Sequence, residues 1–132
     1  MTTHECRTVS VSIDRDWREV YDFLADPASF PKWASGLGSD LERSGDTWTA
    51  RGPDGPISIR FAPPNEFGVL DHVVIAASGV QVHNPMRVMA NGTGSEVAFT
   101  LFRRPGVSAA QFAADADWVG RDLQALKALM EA

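Results

Sequence analysis

From Ser108 onward the chain changes its hydrophobic period, and that change limits what the rest can be. The run "SAAQFAADADWVGRDLQALKALME" puts Phe112, Ala116, Val119, Leu123, Leu126 and Met130 on one stripe at helical spacing. Ser108 suits an N-cap, with Gln111 three residues on at capping-box spacing. At 1.5 Å per residue such a helix spans about 35 Å, enough to cross a whole sheet. Gly120, in its middle, costs about 1 kcal/mol against Ala and marks close packing or a bend. A long helix with a single apolar stripe needs an apolar sheet face to cover it.

The sequence before it supplies one. "RTVSVSI" alternates, with Val9, Val11 and Ile13 on one face and Thr8, Ser10 and Ser12 on the other, which reads as a half-buried strand. From Leu37 to Arg104 runs a train of short strands: "SDLER" and "DTWTAR" around Ser44 and Gly45, then "PISIRFA", "VLDHVVIA", "VQVHNPMRVMA" and "SEVAFTLFRR". Links of two to four residues containing Gly are hairpin signals, so the order reads as an antiparallel meander. Pro85 interrupts the sixth strand and predicts a bulge or bend within it.

Between the first strand and this train lies "DWREVYDFLADPASFPKWASG". Asp14 is expected to cap a helix carrying Trp17, Val20, Tyr21 and Leu24 at spacings of three and four. That helix ends near Asp26, because Pro27 disfavours helical backbone in the residue before it. Pro27 can open a second short helix, and Pro31 is tolerated only in a first turn or at a bend, so Asp26–Gly36 is expected to form a kinked cap.

Composition narrows the function classes. At 132 residues the chain is expected to form one domain over 1–132, and 44% hydrophobic against 22% charged residues is the profile of a folded protein. A net charge of −5, with no basic run, argues against a nucleic-acid partner. Cys6 stands alone, which leaves no internal disulfide and no cysteine metal cluster; His4, His72 and His83 lack close ligand spacing, so neither metal nor cofactor is expected. No stretch approaches the roughly 20 apolar residues of a membrane helix or has the form of a signal peptide, and a cytoplasmic location without integral membrane association is expected.

Turn chemistry fixes a register. If Ala77, Ser78 and Gly79 form a three-residue loop with Gly79 left-handed, Val74 opposes Val82, His72 opposes Asn84 and Leu70 opposes Met86. If the next connection runs from Asn91 to Gly94, Val88 opposes Val97 and Met86 opposes Phe99. One face then carries Leu70, His72, Val74, Val82, Asn84, Met86, Val88, Val97, Phe99 and Leu101, and the other carries Gln81, His83, Arg87, Glu96 and Thr100. A two-residue Ser78–Gly79 turn would send Asp71 inward instead of His72, and the sequence leaves that choice open. Val73, Ile75, Met89 and Phe102 fall on the outer face and break its polar pattern.

A strand, two short helices, a strand train and a long terminal helix together resemble the helix-grip fold of the SRPBCC superfamily. START-type lipid-binding domains, plant pathogenesis-related allergens and bacterial polyketide cyclases share that fold, and small single-domain polyketide-cyclase-like proteins are the nearest in pattern. The resemblance rests on the first strand, the "DWREVYDFLADPASFPKWASG" segment, "NPMRVMANGTGSEVAFTLFRRPG" and the terminal helix. It implies an α+β fold in which a curved antiparallel sheet of about seven strands, in the order β-α-α-β6-α, wraps the last helix and leaves a cavity for a hydrophobic small molecule. The cone-shaped fold of nuclear-transport-factor-like proteins would put its long helices first, the reverse of this order.

In such a cavity Phe30 and Trp33 serve either as a lid at the mouth or as a plug in a small core. The inner-face residues named above other than Val88, with Phe112, Ala116 and Val119 of the helix, would contact the ligand. His72 suits acid–base work near neutral pH, with Asn84 as a carbonyl or hydroxyl anchor; the alternative is a core histidine bonded to Asn84 or a backbone carbonyl. Asp115 and Asp122, at the edge of the helical stripe, are expected on the solvated surface rather than at a polar rim, and Arg60 and Arg87 are expected to be solvated. No G-x-S-x-G elbow or phosphate-cradling glycine loop is present. By resemblance the function is hydrophobic-ligand binding with cyclase or dehydratase activity in view. The competing class is a lipid or quinone chaperone or an interaction module, and a homodimer stays open.

Overall fold

The computed structural model describes residues 2–35, 39–52 and 54–132, with side chains from Leu41 onward in the second segment. Gly36 and Leu37, which bound the expected cap and strand train, lie outside the described residues.

The chain is α+β, with strands β1 (Cys6–Ile13), β2 (Ser39–Ser44), β3 (Thr47–Gly52), β4 (Gly55–Phe61), β5 (His72–Ile75), β6 (Gln81–Asn84), β7 (Met86–Asn91) and β8 (Gly94–Phe102). Helices α1 (Trp17–Ala25) and α2 (Phe30–Trp33) are joined by a 3-10 turn over Pro27–Ser29, and α3 (Ala109–Glu131) follows the last strand. The strands form two antiparallel sheets, ordered β1-β8-β7 and β2-β3-β4-β5-β6. Among the described residues, the expected single sheet of about seven strands is therefore corrected to eight strands in sheets of three and five.

Pro85 is the physical reason. It was expected to bend one strand, and instead it ends β6 in one sheet and lets β7 begin in the other. Proline has no N–H to donate to a ladder, so pairing fails there on one side. Its carbonyl still accepts from Thr100 N at 3.0 Å, the last backbone bond joining this bend to β8. Beyond that bond β8 and β6 belong to different sheets.

The three-stranded sheet holds most of the core. Val11 and Ile13 of β1, Met86 and Val88 of β7, and Val97 and Phe99 of β8 pack with Val20, Tyr21 and Leu24 of α1 and with Leu123, Leu126 and Met130 of α3. The helical stripe thus faces β1 and β8, with α2 at its side, rather than the whole width of both sheets. Near Gly120 the helix comes close to β1, where an added Cβ would stand 3.8 Å from Val9.

Helix ends follow local chemistry, with one correction. The α1 cap is Asp16, whose carboxylate accepts from Arg18 N; Asp14, two residues earlier, instead donates its backbone N–H to Glu131 at the end of α3. Asp26 ends α1 in extended backbone, and its side chain then caps the 3-10 turn through Ala28 N. Ser108 caps α3 through Gln111 N, while the Gln111 side chain turns to Asp115 instead of completing a capping box.

Candidate functional site

The Ala77–Gly79 loop decides what faces inward. Gly79 takes φ of 89°, its N–H bonds Ala76 O, and Ala76 N bonds Val80 O. His72 therefore opposes Asn84 and Val74 opposes Val82. Leu70 N reaches Met86 O, and Met86 pairs with Phe99 across the other ladder. His72 is 3% exposed, whereas Asp71 lies on the opposite face and holds Arg87 through two bonds of 3.1 and 3.2 Å. Arg87 is thus paired, not simply solvated. Burial pushes the Asp71 carboxyl up, but bonds from Arg87 and Met86 N outweigh it and hold it below the usual carboxylate range.

Three rings and one carbonyl surround His72. Phe30, Phe99 and Phe61 lie with centroids 5.4, 5.8 and 6.0 Å from the imidazole, and Trp33 stacks 5.2 Å from Phe30. The imidazole Nδ1 stands 3.2 Å from Leu70 O. A carbonyl only accepts, so Nδ1 carries the proton and Nε2 of the neutral ring is left as an acceptor. Asn84 is its opposite residue in the ladder but not its hydrogen-bond partner among the described contacts. Burial lowers the His72 pKa below the ordinary imidazole range, and the Leu70 carbonyl and Asp71 counter this only in part.

Beside His72 lies a cavity of about 450 Å³, within the usual range for small-molecule sites. Of the residues named from sequence, Phe30, Trp33, His72, Val82, Asn84, Phe99, Leu101 and Val119 line it. Val82 and Asn84 of β6 and Leu101 of β8 all contribute to its lining. Leu70 and Met86 border a smaller interior void with Tyr21 and Phe61. Val97 and Phe112 are core residues, Val74 is half-buried along β5, and Ala116 touches an outer groove between β1 and α3. That groove is larger, about 890 Å³, but it is open to solvent and lined by such residues as Arg7, Asp117 and Gln124, without the apolar enclosure of the first.

On the α3 side of the cavity Val119 was expected, whereas Asp115 and Asp122 were expected on the solvated surface. Gln111, Asp115, Trp118 and Asp122 all line the cavity, so Asp115 and Asp122 form a polar rim rather than plain solvated surface. Asp122 Oδ1 accepts from Ser35 Oγ at 2.6 Å and Ser35 N at 3.3 Å, and Trp118 Nε1 donates to Ser35 Oγ at 3.1 Å. These three bonds latch the end of the α2 segment to α3. The spacing of Trp118 and Asp122, one helical turn apart, was the available sequence signal, but its partner lies 83 and 87 residues away. Phe30 and Trp33 are 4% and 5% exposed and belong to the core cluster while also walling the cavity. Trp33 Nε1 is buried without a hydrogen-bond partner.

No protein-family model matches the chain, and no curated protein matches it. Solved structures do resemble it. The Aha1 dimer protein from Colwellia psychrerythraea aligns with a TM-score of 0.73 at 14% identity, covering 96% of both chains. XoxI from Bacillus cereus aligns at 0.73 and 18% identity over 95% of this chain and 94% of that one. DynU16, a protein of the dynemicin biosynthetic locus, aligns at 0.63 and 20% identity over 96% of this chain, which spans 48% of DynU16. At such identities the likeness is one of fold: curved antiparallel sheets with a C-terminal helix, consistent with the helix-grip arrangement. Among the described residues no helix is long and apolar enough to cross a membrane.

Proposed function

We propose that this chain is an SRPBCC-like protein that binds a hydrophobic or aromatic small molecule between its sheets and α3. The observation that carries the reading is the 450 Å³ cavity walled by Phe30, Trp33, Phe99 and Trp118, with His72 and Asn84 set among them. Aromatic walls give area to an apolar body, and a few polar groups set its orientation. DynU16, named for a biosynthetic locus, is a structural neighbour and fits a role in small-molecule metabolism.

In the enzymatic form of this reading, of cyclase or dehydratase type, His72 acts through Nε2 as a base. Its Nδ1–H is committed to Leu70 O and its ring is held neutral by burial. Asn84 anchors a carbonyl or hydroxyl, and Trp33 excludes water. Without that chemistry the same cavity serves a carrier of lipid or quinone type. A patch for partner binding is less favoured: Val73 and Ile75 are half-buried on one sheet, while exposed Phe102 lies on the other. A homodimer remains part of the proposal because a structural neighbour is described as a dimer.

Native mass spectrometry of the purified protein tests the reading. An adduct of small-molecule mass, lost in a Val119→Trp variant that fills the cavity and stays folded, is the expected result. An adduct retained in that variant would place the ligand elsewhere.

A further inference from the structure

The charged groups on the cavity wall are all of one sign. Its lining includes Asp115 and Asp122 and no Lys or Arg. Neither carboxylate has an ion-pair partner among the described residues. Each gives one oxygen to a neighbour, Asp115 Oδ1 to Gln111 and Asp122 Oδ1 to Ser35, which leaves the second oxygen of each for something else. They stand two helical turns apart, roughly 10 Å along the axis, so a small cation meets one of them at a time.

Phe30, Trp33, Phe99 and Trp118 share that wall with aliphatic and neutral polar residues, and the face of an aromatic ring is the negative part of its quadrupole. Trp118 already attracts a cation, with the Arg121 guanidinium 5.1 Å from its ring centre, although Arg121 does not line the cavity. Trp33, whose buried Nε1–H has no hydrogen-bond partner, is also one of the lining residues. An anionic ligand would give up its hydration to face two carboxylates and several ring faces. A protonated amine would gain on both counts.

We infer that the cavity selects an organic cation, an aromatic or apolar amine whose ammonium group sits at the α3 rim beside Asp115 or Asp122 while its apolar body lies against Phe30, Trp33 and Phe99. This rests on the proposed function, since it names the ligand class for the same cavity.

Calorimetric titration with three probes of one shape tests it: 2-naphthylmethylamine, 2-naphthylmethanol and 2-naphthylacetate. The amine should bind at least about fivefold more tightly than the alcohol, from one ion pair and one cation–π contact, and the carboxylate should bind weakest. Added salt should weaken the amine and leave the alcohol unchanged. In Asp115→Asn/Asp122→Asn the amine should fall to the affinity of the alcohol, whereas Asp117→Asn, which makes a charge change in the outer groove, should leave the preference intact. The salt series on the unaltered chain stands as the test if the double variant does not fold. Equal binding of amine and alcohol, or a preference that survives the double variant, overturns the cation assignment and leaves the cavity reading standing. Binding of none of the three overturns both.

Discussion

At the residue scale, one glycine conformation settles which of two neighbours faces the core. With Gly79 left-handed, His72 is inside and Asp71 outside, bonded to Arg87. Because burial lowers the His72 pKa, the unfolded chain takes up a proton that the folded chain refuses. Stability is therefore complete above the ordinary imidazole value of about 6.5 and declines as pH falls below it, with a slope approaching about 1.4 kcal/mol per pH unit until the folded pKa is reached. His72→Phe should remove that component, so the difference between the two unfolding curves from pH 7 to 5 measures it. Parallel curves would mean that the imidazole charges freely in the fold. A second glycine is required by contact rather than by a turn. Gly68 has φ of 73°, and an added Cβ would stand 2.1 Å from Val88 O, in the loop that Asn65 organises through bonds to Phe67 N, Val69 N and Val69 O. Gly68→Ala should cost at least about 3 kcal/mol in denaturant unfolding, and a loss below 1 kcal/mol would show that the loop can shift away from β7.

At the scale of elements, α3 does two jobs along one length. Leu123, Leu126 and Met130 are buried against β1, β8 and α1, while Asp115, Trp118, Val119 and Asp122 border the cavity. Leu123 is 1% exposed, so Leu123→Ala should cost about 2–5 kcal/mol, read from chemical denaturation; less than about 0.5 kcal/mol would mean that the helix is not held by this stripe. The α2 segment is held differently. Its turns are closed by Ser29 N to Asp26 O, Phe30 N to Pro27 O and Ala34 N to Phe30 O, and the Ser35 latch ties it to α3. If it is a lid, its amides should exchange with solvent sooner than those of β8, and bound ligand should slow them. Ser35→Ala, which removes the two latch bonds made through Oγ and keeps the one from Ser35 N to Asp122, should speed that exchange and leave β8 unchanged. Equal protection of α2 and β8, with or without ligand, would make Phe30 and Trp33 a plug.

At the scale of the molecule, the sequence was informative wherever a single ladder or a single helix carried the signal, and silent where two distant pieces meet. The β5–β6 and β7–β8 registers follow from their own turns, and the α3 stripe from its own period. The split into two sheets was not legible, because Pro85 marks a break in pairing without saying that the broken halves belong to different sheets. Nor was the acidic rim, since Asp122 looks solvated until Ser35 is brought to it from 87 residues away. The split has a consequence for how the fold comes apart. The core cluster joins the three-stranded sheet to α1, α2 and α3, whereas buried Ala50 and Ile59 of the five-stranded sheet lie outside that cluster. β2 and β3 occupy the far side of that sheet, with β2 at its edge, and among the described residues of that pair only Leu41 packs on the core from the side. Strands with few buried apolar contacts open at lower free energy than the whole molecule. Native-state hydrogen exchange should therefore show the β2–β3 amides opening at low denaturant as one unit, while β1 and β8 exchange only through global unfolding. Coincident exchange of all strands at every denaturant concentration would mean that the two sheets share one cooperative core despite the break at Pro85.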